Sequence, residues 1–327
     1  MSLTAFVTGA SGFVGSNLVQ VLHRQGWQVH VLARPTSSLA DIDGIPVTVH
    51  QGDITDSDAL AAAMPEGLDA VFHVAASTNF WSRNNAAQDR VNIDGTRNMI
   101  RTSVRAGARR FVHTSSFTSW GFRNGELDEQ SERTDSSDWI NYVRSKHRAE
   151  EIVLAAVDSG SIDAVILNPA HILGPGDRHN WSRMIRMAHE GKLYAGPPGS
   201  GNFADVREVA KAHIEAFHRG GSGEKYLLGG EYSSFCELVA LAGAVLGVRV
   251  PSRPAPAFVM KAWGHTSAFL AGISGREPDV TPESAAMVAY HVSCNSGKAQ
   301  EALDYRFTPI RTLIEDTVKW MKEKGLL

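Results

Sequence analysis

The stretch that most constrains this chain is its first. Leu3-Thr4-Ala5-Phe6-Val7-Thr8 runs straight into Gly9-Ala10-Ser11-Gly12-Phe13-Val14-Gly15. An apolar run, a glycine-rich turn and an amphipathic segment from Phe13 to Gln25 predict strand, tight turn and helix. Glycines at intervals of three have separate physical uses. One turns the chain, one admits a pyrophosphate close to the backbone, and one lets the helix pack on the strand. The free N–H groups and positive dipole end of the helix would face that pyrophosphate. Gly9, Ser11, Gly12, Phe13, Val14 and Gly15 are therefore candidate cofactor residues. The spacing departs from the G-x-G-x-x-G fingerprint, and alone such a turn also serves as a structural corner.

The alternation continues. Strands are predicted at Gln28 to Arg34, Ile45 to His50, Leu68 to Ala76, Arg110 to Ser116 and Asp163 to Asn168. Helical patterns end near Met64, run from about Asn84 to Ala106, and from Asp138 to about Val157. This order implies right-handed βαβ crossovers and a Rossmann-type doubly wound parallel sheet in an α/β fold. Ligands of such sheets sit beyond the carboxyl ends of the strands, where Arg34, Asp53, Ala75 and Ser116 fall. Residues 1–172 are expected to form the dinucleotide-binding domain, rejoined by about 205–230 through a helix and the strand Lys225 to Leu228. Residues 173–204 and 231–327, mainly helical, are expected to cap the cleft.

Composition narrows the function class. A net charge of −3 gives no overall basic excess for nucleic acid or an anionic membrane. Two cysteines, Cys236 and Cys294, exclude a disulfide framework, and no cluster has metal-ligand spacing. Pro256 to Ile273 is apolar but interrupted by Lys261, Gly264 and His265, so no membrane span is expected. The first residues enter a strand at once, which leaves no room for a signal peptide, and a cytoplasmic enzyme is expected.

Nucleotide choice turns on the end of the second strand. No Asp or Glu precedes Asp41, so the usual ribose 2′-OH partner of NAD sites is missing there. Arg34 stands in its place, followed by Thr36, Ser37 and Ser38. A guanidinium with hydroxyls suits a 2′-phosphate, which favours NADP over NAD. Asp53 would reach the adenine amino group and Ile54 would cover the ring, although an Asp after Gly also stabilises a turn by itself.

Tyr142 and Lys146 lie four apart on one helix face, so phenol and ammonium can serve one site. A nearby Lys⁺ lowers a phenol pKa, and the same phenol can give a proton to a carbonyl oxygen as hydride arrives. Ser115 and Ser116 at the end of the fifth strand point in opposite directions, so at most one reaches the substrate.

These motifs occur in one order. Thr8-Gly9-Ala10-Ser11-Gly12-Phe13-Val14-Gly15, Gly52-Asp53, His73-Val74-Ala75-Ala76 and Asn92-Ile93-Asp94-Gly95-Thr96 come first. Thr114-Ser115-Ser116, Tyr142-x-x-x-Lys146, Asn168-Pro169 and Asp205-Val206-Arg207-Glu208-Val209-Ala210 follow. The set resembles the extended short-chain dehydrogenase/reductases, the epimerase/dehydratase superfamily. The nearest branch looks like dihydroflavonol 4-reductase and 3β-hydroxysteroid dehydrogenase-type proteins, with Gly275-Arg276-Glu277-Pro278-Asp279-Val280-Thr281 in support. The resemblance implies Ser116 as the substrate-oxygen partner, Tyr142 as acid/base and Lys146 as the residue that binds ribose and lowers the tyrosine pKa. It implies Pro169, Ala170 and His171 along the nicotinamide, Ala75, Ala76 and Thr114 beside the cofactor, and Asn92 as a structural residue near the active-site helix.

Aromatic residues near the expected nicotinamide suggest an apolar or aromatic carbonyl substrate, with Ser77, Phe80, Trp81, Phe117 and His171 as candidate contacts. His171 departs from the apolar residues commoner at its position, and is either a substrate contact or a packed imidazole. His73 and His113 read as core histidines. The leading expectation is an NADPH-dependent reductase of a ketone or aldehyde. A nucleotide-sugar epimerase or dehydratase is the alternative, with Arg207, Arg249, Arg253 and Arg276 as diphosphate partners. A third reading is an NADP-binding regulatory protein. The helices around 84–106 and 138–157 would suit a homodimer.

Overall fold

The glycine turn joins β1 (Thr4–Thr8) to α1 (Phe13–Arg24). In this computed structural model, which describes residues 2–133, 138–251 and 253–327, the chain continues through β2 (Gln28–Ala33), β3 (Thr48–Gln51), α2 (Ser57–Ala63) and β4 (Ala70–His73). Next come α3 (Asn85–Asp89), α4 (Gly95–Arg105), β5 (Arg110–Thr114), β6 (Gly125–Leu127), α5 (Asn141–Asp158), β7 (Ala164–Pro169) and β8 (His171–Leu173). The remainder is α6 (Ser182–His189), β9 (Ser200–Asp205), α7 (Val206–Arg219), β10 (Lys225–Leu228), β11 (Glu231–Ser234), α8 (Phe235–Leu246), α9 (Ala257–Ser274), α10 (Pro282–Met287), β12 (Val292–Cys294), α11 (Gly297–Leu303) and α12 (Ile310–Glu323).

Seven parallel strands form the main sheet, in the order β10-β7-β5-β4-β1-β2-β3. The direction of winding reverses between β1 and β4, which opens a crevice at their carboxyl ends. Both faces are covered. Val7, Val31, Phe72 and Val112 pack with Leu18 of α1 and Phe217 of α7 on one side. Phe6, Leu32, Val71 and Phe111 pack with Met99 of α4 and Val153 of α5 on the other. That explains why these strands read as nearly continuous apolar runs.

The capping region contains strands that the sequence pattern does not announce. β11, β9 and β8 form a three-stranded sheet, and β12 pairs with β6. β9, Ser-Gly-Asn-Phe-Ala-Asp, has little apolar periodicity and is held by pairing and by Asn202. The Asn202 side chain donates to Gly230 O (2.7 Å) and accepts from Cys294 N (2.7 Å). The segment expected as one helix from about Asn84 is interrupted by a wide π-turn at Arg90–Asp94, which keeps helical periodicity but re-aims Asn92. The strand expected to reach Ala76 stops at His73, and the one expected to reach Ser116 stops at Thr114.

Buried histidines tie strands to helices. His73 bridges Thr8 Oγ1 (2.9 Å) and Thr96 Oγ1 (3.1 Å). His213 Nδ1 meets the Val209 carbonyl (2.8 Å), so it carries the proton and Nε2 accepts from Thr114 Oγ1 (2.7 Å). Burial lowers His73 to about 3 and His213 to about 4, and holds His113, whose ring nitrogens have no hydrogen-bond partner, well below its ordinary value.

Two predictions follow from this packing. A Cβ on Gly15 would lie 2.1 Å from the Gly9 carbonyl oxygen, so Gly15→Ala should cost about 1–3 kcal/mol in denaturant unfolding and weaken nucleotide binding; unchanged values of both would contradict the close approach. The histidines give a pH dependence. Below about pH 6.5 the unfolded chain takes up protons at His73 and His213 that the folded chain refuses until about 3 and 4. Stability present above pH 6.5 is thus lost at about 1.4 kcal/mol per pH unit per histidine as pH falls. Urea midpoints measured from pH 7 to pH 5 should fall, and a flat series would refute the neutral buried imidazoles.

Candidate active site

The carboxyl ends of β1, β2, β4 and β5, with the chain just after β7, open into one cleft of about 780 Å³. At its floor the turn after β1 fits a pyrophosphate. Gly9 takes φ +76°, and a Cβ there would sit 2.7 Å from Ala75 N. Gly12 caps α1 without a side-chain bond, and no acidic residue occupies the first turn. The first N–H groups of α1 are therefore left to an anion at the cleft. A side chain at Gly9 or Gly15 would fill the space that keeps them there.

One wing of the cleft carries Arg34, Ser37, Asp53 and Ile54. Arg34 is exposed at the end of β2. Asp53 Oδ1 accepts from Thr55 N (2.9 Å) and Thr55 Oγ1 (2.9 Å), so it also shapes its own turn. Ile54 is pinned under the start of α4, where a Cβ on Gly95 would meet it at 2.7 Å.

The loop after β4 is clamped from below. Asn92 accepts from Ser77 N (2.7 Å) and donates to Ser77 O (3.0 Å) and Ser145 Oγ (2.9 Å). Gln88 adds bonds to Ser77 O (3.1 Å) and Asn79 O (2.7 Å). Ser77 and Phe80 thereby line the cleft. Gln88 was not legible in the sequence, because a glutamine among polar helix residues carries no signal of its own.

The far wall holds Ser116, Tyr142 and Lys146 together. Ser115 Oγ turns down and donates to Glu150 (2.5 Å), while Ser116 Oγ accepts from Thr118 N (3.3 Å) and Thr118 Oγ1 (3.0 Å). The Ser116 proton is left to donate into the cleft. Lys146 Nζ donates to Thr114 O (2.8 Å), and burial, opposed by Glu150, brings it down to about 8. Burial pushes the Tyr142 phenol up to about 12, with the Ser116 hydroxyl working the other way. The lowering expected from Lys146 is not seen in the chain by itself, where burial is the largest influence on the phenol.

Glu150, four residues past Lys146 on the same helix face, belongs to none of the sequence motifs. It is fully buried between Arg133 (2.7 Å) and Lys225 (2.9 Å) and accepts from Asn168 Nδ2 (2.6 Å). Burial alone would raise its pKa, but Lys225, Arg133 and the serine hydroxyls outweigh it, and the carboxyl stays below its ordinary value. A carboxylate at the third turn of the tyrosine–lysine face was the available clue.

Phe80 meets the Tyr142 ring edge-on at 5.2 Å. Phe117, Ala170, His171 and Trp181 line the cleft nearby. His171 is both packed and facing the cleft. Phe117 and Trp181 lie 5.1 Å from its ring and Phe235 5.3 Å. Gly201 makes room for it, since a Cβ there would lie 2.4 Å from His171 Cδ2. Burial lowers the imidazole to about 4, so it is neutral at pH 7. Two expected residues lie off the cleft lining. The Trp81 ring is covered by Arg83 at 5.3 Å, and Pro169 is paired with Leu228 inside the main sheet.

The comparisons with known proteins agree with this arrangement. Residues 5–229 match the NAD dependent epimerase/dehydratase family. A protein of Synechocystis sp. that carries the name dihydroflavonol 4-reductase is 31% identical, over 98% of this chain and 95% of its own. Sterol demethylase protein B of Methylococcus capsulatus is 29% identical over 99% of this chain and 100% of its own. The crystal structure of gox2253 superposes with a TM-score of 0.82 at 32% identity, covering 99% of both chains. With a seven-stranded Rossmann-type sheet, a glycine cradle at its switch point and these relatives, the chain belongs to the NAD dependent epimerase/dehydratase family, the extended short-chain dehydrogenase/reductases.

Proposed function

We propose that this chain is an NADPH-dependent reductase of a ketone or aldehyde group on an apolar or aromatic small molecule. The observation that carries the reading is the meeting of Ser116, Tyr142 and Lys146 on one wall of a cleft whose floor is the glycine turn. The bound nicotinamide dinucleotide supplies the hydride. Ser116 donates a hydrogen bond to the substrate oxygen and orients it. Tyr142, which keeps its proton at neutral pH, donates it to that oxygen as charge develops. Lys146, anchored on Thr114 O, places its remaining N–H donors and positive charge beside the phenol. That charge favours the phenolate left behind. Neutral His171, among aromatic rings, offers a polar contact to an otherwise apolar substrate.

The charge distribution supports this reading over a nucleotide-sugar epimerase. Among the described residues the charged groups lining the cleft are Arg34, Asp53 and Lys146, so its substrate side has no cation for a second diphosphate. Arg207 is instead paired with Asp205 (2.6 Å) and Asp316 (2.7 Å), and Arg249, Arg253 and Arg276 are not part of the lining. A protein that only senses NADP would not need the assembled serine, tyrosine and lysine. Relatives named as a dihydroflavonol 4-reductase and as 3 beta-hydroxysteroid dehydrogenases support carbonyl or alcohol chemistry.

Tyr142→Phe should lower NADPH oxidation with an aromatic ketone by about 10²–10⁴-fold while NADPH binding, followed by fluorescence, is retained. Turnover near the wild-type rate would remove Tyr142 from the proton-donor role. Arg34→Ala should weaken NADPH about ten- to a hundredfold, the worth of a charge-assisted phosphate contact, and leave NADH unchanged. Equal losses for both nucleotides would show that Arg34 does not read the 2′-phosphate.

A further inference from the structure

Helix α9 is amphipathic the wrong way round for a helix on a globular surface. Its apolar residues face outward: Phe258 is 74% exposed, Phe269 71% and Ile273 75%, with Val259, Trp263 and Leu270 also exposed. At 3.6 residues per turn these six fall within an arc of about 140°. The buried residues of the inward side are small. Gly264 and Ala271 are buried, and a Cβ on Gly264 would lie 2.9 Å from Thr281 O at the start of α10. An apolar arc of this size on a surface marks an interaction site.

Charge indicates what covers it. From residue 238 to residue 275 the sequence has no Asp or Glu, yet it carries the exposed Arg249, Arg253 and Lys261; Glu277 and Asp279 follow past the end of α9, where they accept from Asn79 and Arg183. The overall charge of −3 hides this local basic segment. A symmetric pairing of two α9 arcs would bring together two Lys261-bearing helices, neither of which carries an acidic residue of its own. An anionic lipid surface offers apolar chains for the arc and negative headgroups for Arg249, Arg253 and Lys261. The helix, about 27 Å long at 1.5 Å per residue, is suited to lie in the interface. Among the described residues no helix is long and apolar enough to cross a membrane.

The patch adjoins the cleft mouth. Gly272 O at the end of α9 accepts from Arg83 Nη2 (3.4 Å), and Glu277 accepts from Asn79 Nδ2 (2.6 Å). Asn79 and Met287, the last residue of α10, line the cleft. We propose that α9 is an interfacial helix that seats this protein on an anionic lipid surface with the cleft mouth beside the bilayer. The docking does not depend on the reductase reading. The consequence that an apolar substrate enters from the lipid does rest on it.

Flotation of the full chain with vesicles separates the outcomes. Phosphatidylcholine vesicles containing about 30% phosphatidylglycerol should carry the protein, whereas pure phosphatidylcholine, or about 0.5 M salt, should release most of it. Replacing Phe258, Phe269 and Ile273 together by Ser should cut binding at least about tenfold, with NADPH oxidation on a water-soluble carbonyl unchanged. Lys261→Glu should weaken only the anionic-vesicle binding. No flotation, or flotation unaffected by the triple replacement, would overturn the proposal. So would a wild-type dimer in light scattering that the triple replacement converts to monomer, because the patch would then be a subunit interface. Lost NADPH oxidation with flotation intact in the wild type would count against the reductase reading alone.

Discussion

The start of α1 lies against the end of β1 so closely that neither Gly9 nor Gly15 has room for a side chain. The Gly9 carbonyl fills the space where a Gly15 Cβ would be, and Ala75 fills the space beside Gly9. This contact fixes three things together. It sets the angle at which α1 leaves the sheet, it joins β1 to β4 at the reversal of strand order, and it presents uncapped N–H groups to the crevice formed there. A helix start held in that way presents N–H groups suited to an anion. The rest of the cleft is arranged around it.

The opposite wall depends on a buried charge. Glu150 lies with Arg133, Lys225, Ser115 and Asn168 beneath the face of α5 that carries Tyr142 and Lys146. Taking three charged groups out of water is costly, and such a cluster adds little net stability compared with apolar packing. What it does is geometric. It draws Ser115 downward, which leaves Ser116 to face the cleft, and it joins α5 to β7 and β10. It also supports the charged form of Lys146 against desolvation. In the proposed reaction the tyrosine needs opposite tendencies at different moments. Burial keeps the proton on the phenol, while Ser116 and Lys146 favour its loss.

Much of the fold was legible because its signals are local. The glycine turn, the continuous apolar strands and the i, i+4 spacing of Tyr142 and Lys146 each have one physical cause that the sequence displays. The choice between Ser115 and Ser116 was not local, since it depends on Glu150 from another element; only the family resemblance pointed to Ser116. The cap sheet stayed hidden because β9 and β11 are largely polar and exist through pairing. The π-turn at Asn92 stayed hidden because it barely disturbs helical periodicity. The upward shift of Tyr142 is hidden for a similar reason, since spacing reveals a nearby cation but not the depth of burial. Trp81 is expected in the site for its place in an aromatic-rich loop and Pro169 from the family resemblance, yet Arg83 covers the Trp81 ring and Pro169 pairs within the sheet.

The central claim of the proposed reading is that this cleft transfers hydride from the bound nucleotide to a carbonyl carbon and leaves it in the product. NADPH labelled with deuterium at C4, on one face and then the other, tests this directly when the alcohol product is examined by mass spectrometry. The account predicts one deuterium in the product from one labelled face only, with stoichiometric consumption of NADPH. Deuterium that stays with the nucleotide while substrate is interconverted without net oxidation would contradict it and point to epimerase chemistry.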